Sequence, residues 1–145
     1  MRKYNNLGVM TTNIISPQIL VDLRLQGLSF SAIAKHYGIT KSSVYNVYKK
    51  YKEAGFGGYC PINLDEVRKA LKTDQPFAKI AFQFNLDCNG LHNLMTDYDL
   101  EDRLTVENVR SILDRAPSMI YVAEHFGIRR DTLKKFIEDN DMNGS

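Results

Sequence analysis

Lys41, Ser42, Tyr45, Asn46 and Lys49 lie within one short stretch of a 145-residue chain and bring together two amines, two hydroxyls and a carboxamide. Such groups donate hydrogen bonds to anions and to heteroatom edges, which is binding chemistry; none is a nucleophile set beside a base. The rest of the chain offers no better catalytic constellation. His36, His92 and His125 are far apart in sequence, and His36 and His125 occupy equivalent positions expected on the surface. No motif supplies a nucleophile, a neighbouring base and an oxyanion site together. "GFGG" (Gly55 to Gly58) runs into Tyr59 and Cys60, not into the Lys and Ser or Thr of a phosphate-cradling loop. "DYDLED" (Asp97 to Asp102) lacks the central glycine and terminal glutamate of a calcium loop. Cys60 and Cys88 have no Cys or His at metal-ligand spacing and read as buried free thiols. The expectation is a protein that binds without catalysis, metal or cofactor.

Charge points to the kind of partner. Residues 1–58 hold eight Lys and Arg against Asp22 and Glu53, a net +6; residues 59–103 sum to −3 and residues 104–145 to −1. A cationic first third in a chain of net +2 favours an anionic polymer as the partner of that third. No run approaches the roughly 18 apolar residues of a membrane span. The first twenty residues lack the apolar core and cleavage site of a secretory signal, so a cytoplasmic protein is expected, nucleoid-associated if bacterial.

The elements that position these residues are legible in a weak internal repeat. "FSAIAKHYGITKSSVYNVY" (Phe30 to Tyr48) returns 47 residues later as "FAKIAFQFNLDCNGLHNLM" and 89 residues later as "MIYVAEHFGIRRDTLKKFI". Apolar residues coincide in all three: Ile33, Ile80 and Val122; Ala34, Ala81 and Ala123; Val44, Leu91 and Leu133 are examples. Phe30, Ile33, Ala34 and Tyr37 form one face of a short helix, and Val44, Val47, Tyr48 and Tyr51 form one face of a second. Gly38 sits between them, where the chain must leave a helix through a left-handed residue, and Thr40 can cap the next helix. The recurring alanine suits a close helix crossing. A further helical stretch precedes each pair: "ILVDLRL", "LDEVRKAL" and "TVENVRSIL". Ser16 with Pro17, and Thr105 with Asn108, supply start signals for the first and third.

The order of small Ala34, turn Gly38, apolar Ile39 and then Val44 and Val47 resembles the helix-turn-helix of DNA-binding proteins. The closest likeness is to the three-helix type of homeodomain-like, Hin-recombinase and transposase DNA-binding domains. The resemblance implies an all-α fold of three tandem three-helix bundles. It divides the chain into an N-terminal arm (1–15), a basic bundle (16–55), a linker at the flexible "EAGFGGYCP" joint (56–61), a middle bundle (62–98), an acidic linker (99–104), a C-terminal bundle (105–140) and a tail (141–145).

It also implies double-stranded DNA as partner and a recognition helix near residues 40–52. There Lys41, Ser42, Tyr45, Asn46 and Lys49 point outward, while Lys50 and Lys52 extend the positive field. Asn can pair bidentately with adenine, Lys can donate to guanine or phosphate, and hydroxyls can reach phosphate oxygens. Arg2 and Lys3 are candidates for an arm along the backbone or in the minor groove. The third copy offers Arg129, Arg130, Lys134 and Lys135 near residues 129–138, although Arg129 replaces the capping Thr40 and Glu138 and Asp139 would repel phosphate. The middle copy replaces the turn glycine by Asn85, and its outward set of Cys88, Asn89, His92, Asn93 and Thr96 has no Lys or Arg. Phe82 stands there where solvent is predicted, which marks it as a protein contact, buried against a neighbouring bundle or a second chain. The expected function is sequence-specific DNA binding by a non-enzymatic transcriptional regulator. The alternatives are an accessory subunit for recombination or packaging, encoded by a phage or mobile element, and a protein-interaction module acting on RNA polymerase. A homodimer or a recombinase partner fits these readings.

Overall fold

The computed structural model describes residues 15–116 and 118–142, so the arm residues Arg2 and Lys3 lie outside the described residues. Nine α-helices and no strand occur among those described: α1 Pro17–Leu25, α2 Phe30–Tyr37, α3 Lys41–Glu53, α4 Leu64–Leu71, α5 Phe77–Gln83, α6 Cys88–Asp97, α7 Val106–Arg115, α8 Met119–Phe126 and α9 Arg130–Asp139. The protein is all-α, as expected.

Local chemistry accounts for the helix ends. Ser16 accepts from the Ile19 amide at 3.1 Å with Pro17 in the first turn, and Thr105 accepts from the Asn108 amide at 3.1 Å. The turn inside each repeat closes the same way. Gly38, Asn85 and Gly127 take φ of 66°, 60° and 66°, and the next amide reaches back to the recurring alanine: Ile39 to Ala34, Leu86 to Ala81 and Ile128 to Ala123, at 2.9 to 3.0 Å. A left-handed residue ends the helix, and the backward bond satisfies a carbonyl the helix leaves open.

The helices gather into two compact units, which departs from the three consecutive bundles read from the repeat. The first comprises the described residues up to Asn63 together with Asn89–Asp99; the second comprises Leu64–Cys88 and the described residues from Leu100 onward. Residues 62–98 therefore do not close on themselves: α4 and α5 go to one unit and α6 to the other. The reason lies in buried polar groups. In the first unit the Asp97 carboxylate, 3% exposed, is bonded to Arg24 of α1 and to the Tyr48 hydroxyl of α3. Asn93 donates its amide to the Arg24 and Leu28 carbonyls at 2.7 and 3.2 Å. Buried donors and acceptors of this kind require partners, and α6 finds them on α1 and α3. Val44, Val47 and Tyr48 of α3 are buried, as are Ile33 and Ala34 of α2, against which α3 packs. The "EAGFGGYCP" segment is not the loose joint expected. Phe56 is 2% exposed at a φ of 55°, with its ring 6.0 Å from Tyr48 and 5.4 Å from Tyr98, so the segment is a tight turn pinned by an aromatic side chain.

The second unit has its core between α7, α8 and α9, where Val109, Ile112, Val122, Ala123, Phe126, Leu133 and Ile137 pack together. α5 lies against α8. Phe82 on α5 is 77% exposed, so the expectation that a neighbouring bundle buries it is not met. Cys60 and Cys88 are free but half-buried, not fully enclosed.

His36 is exposed as expected, but its counterpart His125 is buried, which corrects the surface reading of that residue. Arg103 explains the difference: its guanidinium donates to His125 Nε2 at 2.8 Å and to the Gln75 carbonyl at 2.7 Å. An accepting Nε2 means a neutral ring with its proton on Nδ1, which has no bonding partner among the described residues. Burial and the Arg103 and Arg115 charges push the His125 pKa below its ordinary 6.5, against a weaker pull from Asp74 at 3.7 Å; the Tyr121 ring stacks beside it. In the unfolded chain the same histidine takes up a proton near 6.5, so stability is full above that value and declines as pH falls below it toward the folded pKa. We expect the urea midpoint of the second unit to be lower at about pH 5.5 than at about pH 7.5, with the loss reduced in His125→Gln, which keeps an acceptor but cannot titrate. Equal pH dependence in the two proteins would rule this out.

Candidate nucleic-acid interface

α3 begins with Thr40 in extended conformation, its hydroxyl accepting from the Ser43 amide at 3.1 Å. The cap fixes where the first turn starts and so which residues turn outward. At about 100° per residue, Lys41, Ser42, Tyr45, Asn46 and Lys49 share one sector with Lys50 at its edge, opposite Val44, Val47 and Tyr48. All six are exposed and the three opposite are buried. Tyr45 keeps about half its surface in solvent while its ring meets Phe30 edge-on at 5.7 Å, which restricts the rotamers open to its hydroxyl.

Beneath this face lies a polar core. Arg24 sits 4.4 Å from the Phe30 ring centre and pairs with Asp97, and Asp97 accepts from the Tyr48 hydroxyl at 2.8 Å. Burial and the Asp97 charge raise the Tyr48 pKa far above the ordinary phenol range, so the hydroxyl remains a donor. This corrects two sequence readings. Arg24 is not part of the anion-attracting charge of the first third, because it is buried and neutralised. Asn93 does not belong to an outward set that could read bases, because it is bonded to α1 and to the turn after it. Lys52 also departs from its expected part, since its ammonium is held by the Thr96 carbonyl and by Asp99 at 3.1 Å. Of the other middle-copy candidates, Asn89 and Thr96 are exposed, while His92 and Cys88 are half-buried. A signal for the buried pair existed: Arg24 follows Leu20 and Val21 at helical spacing, and Asp97 follows Leu94, so each charge lies on the apolar face of its helix.

α9 presents Arg129, Arg130, Lys134 and Lys135 to solvent, as expected. Arg129 occupies the cap position without a side-chain bond, the weakness its substitution for threonine predicted. Asp131, Glu138 and Asp139 are exposed on the same helix. Three acids thus offset the three bases Arg130, Lys134 and Lys135, whereas along α3 the only acid is Glu53 at its end. The attractive field for an anion is concentrated on α3.

Residues 18–61 match the sequence pattern of a helix-turn-helix domain family. That span runs from α1 through the Phe56 turn and contains the whole exposed face of α3. A helix-turn-helix domain of this kind suggests DNA as the partner of the first unit. Searches of curated proteins and of solved structures found no match to the chain. Among the described residues, no helix is long and apolar enough to cross a membrane.

Proposed function

We propose that the protein is a sequence-specific, non-enzymatic DNA-binding protein, a transcriptional regulator that reads the major groove with α3. The observation that carries this reading is the division of α3 into an exposed face of Lys41, Ser42, Tyr45, Asn46, Lys49 and Lys50 and an opposite face buried in the core. Asn46 tests for adenine, Lys41 and Lys49 donate to guanine or phosphate, and Ser42 and Tyr45 contact phosphate oxygens or base edges. α9 contributes a weaker second contact through Arg129, Arg130, Lys134 and Lys135, its field largely offset by Asp131, Glu138 and Asp139.

The test is selection of duplexes from a random pool, followed by titration of the recovered sequence at several salt concentrations. Wild type should bind with an affinity that falls steeply as salt rises. The Lys41→Ala/Asn46→Ala/Lys49→Ala triple variant should lose at least about a hundredfold, given roughly 1–3 kcal/mol per good base contact, with an unchanged melting temperature because all three side chains are exposed. Absence of salt-sensitive binding by wild type, or equal binding by the variant, would end this reading.

A further inference from the structure

We infer that an open pocket at the leading end of α3 is a phosphate seat, filled in the DNA complex by a backbone phosphodiester beside the groove that α3 enters; this rests on the DNA-binding reading above. The pocket encloses about 350 Å³ within the first unit. Its walls are Lys41 from the first turn of α3, Ser29 and Ser31 from the start of α2, Asn89, His92 and Asn93 from α6, and Arg24 and Gly27 from the end of α1 and the turn after it, with Phe30 as an apolar backing. Among the described residues, no carboxylate lines it. Apart from Arg24 and Asn93, which are engaged with Asp97 and with backbone carbonyls, the walls carry an amine, two hydroxyls, a carboxamide and an imidazole, a donor-rich set suited to a tetrahedral oxyanion. Ser29 already accepts from the Ala32 amide at 3.1 Å, which leaves its hydroxyl proton as a donor.

Bonds beneath the pocket anchor its α6 wall. Asn93 fixes α6 to the Arg24 and Leu28 carbonyls, and Asp97 fixes it to Arg24 and Tyr48, so Asn89 and His92 are presented from an anchored helix. A site whose donors are prearranged binds an anion without first ordering its own side chains. Lys41 belongs both to this pocket and to the exposed face of α3, so an anion seated here lies next to whatever α3 reads. α6, which has no Lys or Arg of its own, thereby serves DNA binding as one wall of a phosphate clamp.

Asn89→Asp/His92→Glu places two carboxylates in the α6 wall and leaves every residue of the α3 face in place. On the duplex recovered by selection, it should bind about tenfold more weakly, and its log affinity should depend less steeply on log salt by about one unit, the effect of one lost phosphate contact. The order of preference among duplexes should be unchanged, because a phosphate carries no sequence information. His92→Lys should act oppositely, raising affinity on all duplexes alike. Binding equal to wild type in both variants would overturn the inference. If the double variant fails to fold, His92→Lys decides alone: tighter binding supports the seat, and unchanged or weaker binding refutes it. A parallel titration with inorganic phosphate and with a nucleoside triphosphate, followed by the His92 ring resonances, separates the two sources of phosphate. Saturation at micromolar triphosphate without competition by DNA would assign the pocket to a small anion and overturn the backbone assignment. Failure of wild type itself to bind DNA would instead remove the reading on which the inference rests.

Discussion

Asp97→Ala should destabilise the first unit by about 3–5 kcal/mol, the range for removing one partner of a buried ion pair. The substitution leaves the Arg24 guanidinium, 8% exposed, without its countercharge and takes the acceptor from the Tyr48 hydroxyl. The cost arises less from lost attraction than from a charge left in a place it cannot solvate. Small domains are stable by only about 5–15 kcal/mol, so this one change consumes a large share of the total. Asp97→Asn, which keeps an acceptor but no charge, should fall between. Arg24→Met/Asp97→Leu should recover much of the loss, because paired apolar replacements remove the desolvation penalty along with the pair. Urea melts followed by Tyr fluorescence measure the series. A loss below about 1 kcal/mol in Asp97→Ala, the typical worth of an exposed pair, would mean that α6 is not held to α1 and α3 as described.

The second large effect is expected at a glycine. Gly127 and Gly38 end corresponding helices at the same φ of 66°, yet their surroundings differ. A Cβ on Gly38 meets nothing within 4 Å, so Gly38→Ala should cost only the left-handed backbone, about 1–2 kcal/mol. A Cβ on Gly127 would enter the Phe77 side chain, 2.6 Å from Cγ and 2.9 Å from Cβ, and Phe77 is buried, 2% exposed. Overpacking adds about 1–3 kcal/mol, so Gly127→Ala should lose about 2–5 kcal/mol in all. Gly127→Ala combined with Phe77→Ala removes the overlap with the ring carbons, leaving only the 2.9 Å approach to the residue 77 Cβ and the backbone strain. A positive coupling between the two substitutions in a double-mutant cycle would report the contact. Equal losses for Gly38→Ala and Gly127→Ala would show that Phe77 does not pack there.

Both predictions mark the limit of what could be read along the chain. The helices, their caps and their left-handed turns are local matters. Ser16, Thr40 and Thr105 cap where a hydroxyl can meet an amide three residues on, and Gly38, Asn85 and Gly127 stand where any helix of this length must turn back. The outward face of α3 was legible for the same reason. Once Val44, Val47 and Tyr48 are assigned to the core, helical geometry leaves Lys41, Ser42, Tyr45, Asn46 and Lys49 on the other side.

What the order of residues by itself determined is therefore an all-helical chain, with a thrice-used helix, turn and helix, and a first copy more basic than the rest. What only the tertiary structure decided is the company each helix keeps. A repeat in sequence suggests that each copy folds on its own, but α6 carries a half-buried Asn93 and a buried Asp97, and their partners Arg24, Leu28 and Tyr48 lie 49 to 73 residues away. The burial of His125, while His36 stays in solvent, turns likewise on Arg103, which lies 22 residues before it and outside the repeat. Periodicity reports which side of a helix avoids water; the hydrogen-bond partner that makes a polar side chain tolerable inside is a fact of three dimensions.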